Sequence, residues 1–244
     1  MTIDPQMSLG SLVRAHPQII PLFDTWGLDY CCGGRASFAA ASGTLGLSLE
    51  TALPLLEQAA AQTWHAPAGH IESSTMNLQE LADAIEKTHH VYTRQALSGL
   101  EPLVEKVRRV HGEIHPELLE IQSLFQALVA DLTPHLIKEE QVLFPMLRRM
   151  AGAKSWDEVD DGPGPNSTEG PINCMHREHD AVGAILQRLS VITNNYQVPQ
   201  GGCSSYQRLF ADLKALEQDL HQHIHLENNV LFPNAWELEK KLRS

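Results

Sequence analysis

Apolar residues in the second half of the chain recur alternately three and four positions apart, the spacing of a helix with one buried stripe. Leu118, Ile121, Phe125, Leu128, Leu132, His135, Glu139 and Val142 obey this rule, and so do Leu209, Leu213, Leu216, Leu220, His223, Glu227 and Val230. Ile172, Met175, His179, Val182, Leu186 and Leu189 give a third stripe, and Leu78, Ile85, His89, Ala96 and Leu103 a weaker fourth. The pattern predicts long helices over about 77–111, 116–150, 172–195 and 204–241, the first capped by Asn77. Connections near 112–115 and 196–203 are short and suit helix hairpins, while the Gly-, Pro- and Asp-rich stretch 151–171 reads as a longer polar crossover. No segment has a strand period. The predicted fold class is therefore all-α: an antiparallel four-helix bundle over 77–241, preceded by a small helical domain over 1–61 and an aperiodic linker over 62–76. Short helices are expected in that domain at 8–15, 18–26, 36–42 and 48–61.

Ionisable residues interrupt the apolar stripes where a core is expected. His135-x-x-x-Glu139 and His223-x-x-x-Glu227 each put an imidazole and a carboxylate one turn apart on one helix face. Both pairs open nearly the same eleven-residue word, closed by Val-Leu-Phe-Pro at Pro145 and Pro233. A single such pair is a common surface contact, but two copies on apolar seams would bury carboxylates that need compensation. Metal ions supply it. The repeat also nominates partners on the preceding helices. His179 lies 44 residues before His223, and His90 lies 45 before His135. Periodicity in the first helix favours His89 instead, so the two signals conflict there. Mixed histidine–carboxylate sites with open positions suit iron, which binds O₂ or NO, although spacing alone also fits zinc or manganese. His221, His225, Glu140, Glu178 and Asp180 are expected to be solvated or at most to support ligands, and His176 to flank the seam. Pro134 is expected to disturb its helix at the level of the metal.

Composition narrows the class of partner. The chain is 43% hydrophobic and 20% charged, ordinary for a globular protein. Its net charge of −12 and lack of a basic patch argue against nucleic acid or an anionic membrane surface. With no signal-peptide pattern and no apolar run of spanning length, a cytoplasmic location is expected. Ten of the thirteen histidines fall between His89 and His225, which concentrates ligand chemistry in the bundle.

Four cysteines are too few for a disulfide scaffold. Cys31 and Cys32, followed by Gly33-Gly34 and then by a predicted helix, are the unusual pair. Thiols at a helix N-terminus acquire a lowered pKa and redox reactivity, whereas a purely packing role would make them small buried hydrophobes. Cys174 and Cys203 read as structural or incidental.

Taken together, Asp29-Tyr-Cys-Cys-Gly-Gly34, Thr88-His-His-Val-Tyr-Thr-Arg94, His135-x-x-x-Glu-Glu-x-x-Leu-Phe-Pro145, Glu178-His-Asp180 and His223-x-x-x-Glu-Asn-Asn-Val-Leu-Phe-Pro233 resemble the iron–sulfur cluster repair di-iron proteins, over nearly the whole chain. The resemblance implies a hemerythrin-like bundle holding two non-haem iron ions bridged by carboxylates and an oxo group. It places the ligands at His90, His135, Glu139, His179, His223 and Glu227, and so favours His90 over His89. It also implies a role under nitrosative or oxidative stress, with damaged iron–sulfur proteins as partners and NO or O₂ as small ligands; a homodimer is compatible with it. Three functions follow: an iron-donating repair protein, an O₂- or NO-binding or sensing module, and an NO reductase. The paired cysteines, with a redox role, lean toward the first or third.

Overall fold

The computed structural model describes residues 2–44, 46–63, 71–160 and 166–244. Residues 64–70 of the expected linker and 161–165 of the expected crossover lie outside the described residues. Among the described residues every regular element is helical, apart from one isolated bridge between Ser8 and Ser37.

Four short helices come first: α1 (Leu9–Ala15), α2 (Ile20–Trp26), α3 (Phe38–Thr44) and α4 (Leu49–Ala60). Ser8 and Ser48 cap α1 and α4 through their hydroxyls, satisfying amides that a helix start leaves free. Leu12, Ile19, Phe23, Phe38 and Leu56 close a core of their own. Phe23 stacks on Phe38 with ring centroids 6.2 Å apart.

The bundle follows. Its first long helix is α5 (Leu78–Ile85), a π-helical turn (Glu86–His90) and α6 (Val91–His111). The second is α7 (Glu117–Lys138), a π-turn (Glu139–Leu143) and α8 (Phe144–Gly152), with the short α9 (Trp156–Asp160) beyond it. The third is α10 (Glu169–Ile192), and the fourth is α11 (Ser204–Leu226), a π-turn (Glu227–Leu231) and α12 (Phe232–Arg243). Asn77 caps α5 in a reciprocal box: Glu80 N donates to its side chain at 3.0 Å, and Asn77 N donates to Glu80 at 2.9 Å. Helices α6 and α7 pack as neighbours, α11 lies on α6, and α10 lies on α7.

A π-turn holds one residue more than an α-turn, so it advances every later side chain by about one position around the helix. The first turn explains why the weak fourth stripe misread its seam. Ala96 and Leu103 are only half-buried, and Leu97, Leu100, Val104 and Val107 form the buried line instead. The second turn does the same to Val142, which is 41% exposed while Leu143 is 1% exposed. Pro134 sits inside a continuous α7; the irregularity begins at Glu139, five residues later.

Two other expectations change. The crossover is not wholly irregular, since α9 buries Trp156 and Val159 in one apolar cluster with Phe144 and Phe232, and Arg243 lies 3.8 Å over the Trp156 ring. Helix α10 stops at Ile192 rather than 195, because Asn194, Asn195 and Tyr196 take left-handed φ angles of 48°, 57° and 61°.

The bundle core is in two parts. One contains Leu97, Phe125, Leu128, Leu186, Leu216 and Leu220, and the other Leu81, Ile85, Phe144, Met175 and Phe232. On each long helix the seam histidines and glutamates fall between the two parts, as a polar layer walled by apolar groups.

Glu217 on α11 faces Tyr196, and burial together with the nearby charge of Asp24 raises its pKa to about 7 against a partial counter-effect from Tyr196 and Lys214. Burial likewise raises Asp24 to about 6. The folded protein thus holds protons that the unfolded chain has released. This contribution to stability is full below about pH 4 and is lost as pH rises through 7. Glu217→Gln is expected to match the parent at pH 4 and to exceed it by roughly 1–2 kcal/mol at pH 8, in urea unfolding at the two pH values.

Candidate metal centre

All six seam residues named from the sequence meet in the polar layer. Two groups of ligand atoms, each within 4.8 Å of one another, are His90, Glu139, His223 and Glu227, and His135, Glu139, His179 and Glu227. Both carboxylates belong to both groups, which gives two half-sites sharing a pair of glutamates. The six side chains are 0–2% exposed. His90 Nε2 lies 3.3 Å from Glu139 Oε2 and His135 Nε2 lies 3.4 Å from it. His179 Nε2 and His223 Nε2 each lie 3.1 Å from a Glu227 oxygen.

The conflict between His89 and His90 has a structural outcome. His90 joins the group, because the π-turn Glu86–His90 carries it one position further round. His89 is also buried, but its Nδ1 bonds Asp219 at 2.9 Å and its ring stacks on His223 at 5.5 Å.

Hydrogen bonds at the outer nitrogens orient three of the rings. His90 Nδ1–H donates to Glu140 at 2.8 Å, His135 Nδ1–H to Glu178 at 2.9 Å and His179 Nδ1–H to Asn228 at 2.9 Å. Each bond leaves the Nε2 lone pair aimed inward, the tautomer a metal ligand needs. Arg94 grips Glu140 through both nitrogens at 2.7 and 2.9 Å, and Lys138 bonds Glu178. Of the two roles open to Glu140 and Glu178, solvated or supporting a ligand, the structure shows the second. Asn228 was not singled out, although its place in the repeated word, directly after Glu227 as Glu140 follows Glu139, was a usable signal.

The electrostatics fit a pair of cations. His135 Nε2 and His179 Nε2 lie 3.2 Å apart, two inward lone pairs facing each other. Both oxygens of Glu139, one of Glu227 and Nε2 of His90 are buried without a hydrogen-bond partner. Such groups are costly to bury. Burial, and then the charge of Glu227, push the Glu139 carboxyl upward; burial also opposes ionisation of Glu227, but His223 and His179 hold it well below the usual range. Two divalent ions between these groups would satisfy all of the unpartnered atoms. Phe144 stacks on His90 at 5.4 Å and Phe232 on His179 at 6.1 Å, which gives the repeated Leu-Phe-Pro a packing role against the histidines of the preceding helices.

The cysteine loop sits against this layer. Asp29 Oδ1 accepts from the amides of Cys31 and Cys32 at 3.1 and 2.9 Å, an Asx-type turn. Asn229 donates to the carbonyls of Tyr30 and Cys31 at 3.3 and 3.2 Å, and Asn228 donates to Cys31 O at 3.3 Å. A side chain at Gly34 would fall 2.5 Å from the Tyr30 carbonyl, which accounts for that glycine. Cys32 Sγ reaches the His179 carbonyl at 3.5 Å. The lowered pKa expected from a helix N-terminus is not found at Cys31: α3 begins only at Phe38, and the hydrogen bond to Cys32, burial and Asp29 push the Cys31 thiol well up. His225 is buried and His221 half-buried, and they pack edge-on against Tyr30, at 5.8 and 6.1 Å. His176 meets Phe232 edge-on at 5.5 Å. Cys203 is exposed, and a hydrogen bond with His111 at 3.1 Å brings its thiol down to about 7.

A bundle with buried histidines and shared carboxylates defines a hemerythrin-type cation-binding protein, and a family model described as the hemerythrin HHE cation binding domain matches residues 81–235. A second model, a domain of unknown function (DUF542), matches residues 5–60. Among curated relatives, the iron-sulfur cluster repair protein YtfE of Yersinia pseudotuberculosis serotype IB (strain PB1/+) is 35% identical over 228 residues, 93% of this chain and 96% of that protein. The protein of the same name from Yersinia pestis (strain Pestoides F) gives the same figures. The chain belongs to this family of iron–sulfur cluster repair proteins. No helix among the described residues is long and apolar enough to cross a membrane.

Proposed function

We propose that this chain is a di-iron protein that helps restore iron–sulfur clusters damaged by nitric oxide or oxidative stress, either by supplying iron or by reacting with NO. The observation that carries the reading is the pair of half-sites sharing Glu139 and Glu227, in a chain whose relatives bear the name of cluster repair. His90 and His223 would hold one ion and His135 and His179 the other, with Glu139 and Glu227 shared between the two half-sites. When bound, two non-haem irons supply redox-active centres with open positions for NO or O₂. The protein's own part is to hold and release them. Four imidazoles and only two carboxylates leave the site poorer in negative charge than carboxylate-rich di-iron sites, which favours iron that can leave. Its partners are then proteins with damaged iron–sulfur clusters, and its setting the cytoplasm. In this reading Cys31 and Cys32, which form no disulfide in the structure, take the redox role. This reading keeps the division of the chain into 1–61, a linker over 62–76 and the bundle over 77–241.

The test is transfer. Protein loaded with isotopically labelled iron is incubated with an NO-damaged cluster enzyme under reducing, anaerobic conditions. Recovery of that enzyme with the label in its cluster is the expected result. Retention of all labelled iron while the enzyme stays inactive contradicts iron donation, and sustained conversion of NO to nitrous oxide in the same vessel would assign the reductase function instead.

A further inference from the structure

The loop at Asp29–Cys32 gathers ligand atoms that the histidine–carboxylate centre does not use. Asp29, Cys31 and Cys32 each offer one atom within 4.8 Å of the others. The two sulfurs are 3.9 Å apart, and Cys31 Sγ is 3.2 Å from Asp29 Oδ1. Two thiolates on one tetrahedral ion, with bonds of about 2.3 Å, stand about 3.8 Å apart, and a thiolate and a carboxylate oxygen about 3.5 Å apart. The loop already has nearly that spacing. Its backbone is held from outside by Asn228 and Asn229 through the Tyr30 and Cys31 carbonyls, so the pair of sulfurs is set by the docking of the loop onto the π-turn Glu227–Leu231.

Both cysteines line a cleft of about 380 Å³ that also carries Arg35, Arg177 and Asp180. Arg177 and Asp180 are exposed, so an ion has a way in from solvent. A divalent ion on two thiolates and one carboxylate carries a net charge of −1, which the two arginines of the cleft offset.

We propose that Asp29, Cys31 and Cys32 form a second, single-ion site for a thiophilic divalent cation of the Fe(II)/Zn(II) class, separate from the histidine–carboxylate centre. Binding exchanges protons for metal: the ion forms two metal–sulfur bonds and one metal–oxygen bond, and the two thiol protons pass to solvent. No electron is transferred. The cleft leaves the fourth position to water or an incoming ligand. Cys32, in contact with the His179 backbone, puts this ion between the cleft and the main centre.

Cobalt(II) is the probe, since thiolate–Co(II) bonds absorb in the near ultraviolet and nitrogen or oxygen ligands do not produce that band. The full reduced chain carries Cys174→Ser and Cys203→Ser, which removes the rival thiol beside His111. Titration without oxygen is expected to give the thiolate band and one more equivalent of cobalt than the same chain with Cys31→Ser and Cys32→Ser. Asp29→Asn keeps the oxygen that accepts the two loop amides and removes the charge; it is expected to weaken this equivalent by about tenfold or more, as loss of a ligand charge does. Absence of the band, or an unchanged band in the double-serine chain, overturns the proposal. Should the double-serine chain fail to fold, shown by its circular dichroism, Asp29→Asn decides: unchanged cobalt affinity overturns the three-ligand site. The comparison is between thiol variants, so failure of the di-iron reading would leave it intact and would be seen separately.

Discussion

Glu139→Gln is expected to empty both halves of the metal centre and, in the same molecule, to stabilise the metal-free protein. Glu139 belongs to both ligand groups, so its loss is felt by both ions, whereas His223 belongs to one. Iron content should therefore fall from about two per chain to well below one in Glu139→Gln, and to about one in His223→Ala. The stability effect has the opposite sign. Without metal, both oxygens of Glu139 are buried and have no hydrogen-bond partner, close to a second buried carboxylate at Glu227. A neutral side chain of the same shape removes that cost, by about 1–3 kcal/mol, or several degrees in melting temperature for a chain of this size. Metal analysis together with thermal melting in excess chelator reads both effects. A variant that keeps two ions, or one that melts lower than the parent in chelator, contradicts the shared-carboxylate arrangement.

The second large effect is expected at Phe232. Its ring is fully buried, stacks on His179 at 6.1 Å with planes 4° apart, and meets His176 edge-on. Phe232→Ala removes a large side chain from the part of the core it shares with Phe144 and Met175 and leaves a cavity, at a cost of about 3–5 kcal/mol. It also uncovers a face of the His179 ring, whose edge Asn228 holds through Nδ1, so metal affinity should fall with stability. Urea unfolding of the metal-free protein isolates the packing loss from the linkage of metal to folding. Phe232→Leu, which refills most of the volume, should recover more than half of it. A loss under 1 kcal/mol in the alanine variant would mean that the repeated Leu-Phe-Pro does not pack the centre as described.

The helices and the site were legible to different degrees for physical reasons. Three of the four seams can be read directly because regular α-helix spaces their buried residues at three and four, and the π-turns begin only at Glu139 and Glu227, the last ligands of their helices. The first helix could not be read by period, because its π-turn, Glu86–His90, comes ahead of most of the seam and ends on the ligand itself. The extra residue moves the seam from His89, Ala96 and Leu103 to His90, Leu97 and Val104. The internal repeat succeeded there because it compares positions between copies and needs no assumption about residues per turn. Contacts between distant segments left weaker traces. Asn228 and Asn229, which hold His179 and the cysteine loop, differ from their counterparts Glu140 and Gln141 in the first copy, and only the docked loop gives that difference a reason. The environment of Cys31 was equally hidden, since its burial depends on the bundle surface 200 residues away in the chain rather than on the nearby helix.

Counting iron in this chain decides whether the bundle holds a pair of ions. After anaerobic reconstitution with ferrous iron and removal of unbound metal, the arrangement of four histidines around two shared glutamates predicts about two irons per chain held by the bundle. A single zinc per chain, with no iron taken up beside it, would contradict it.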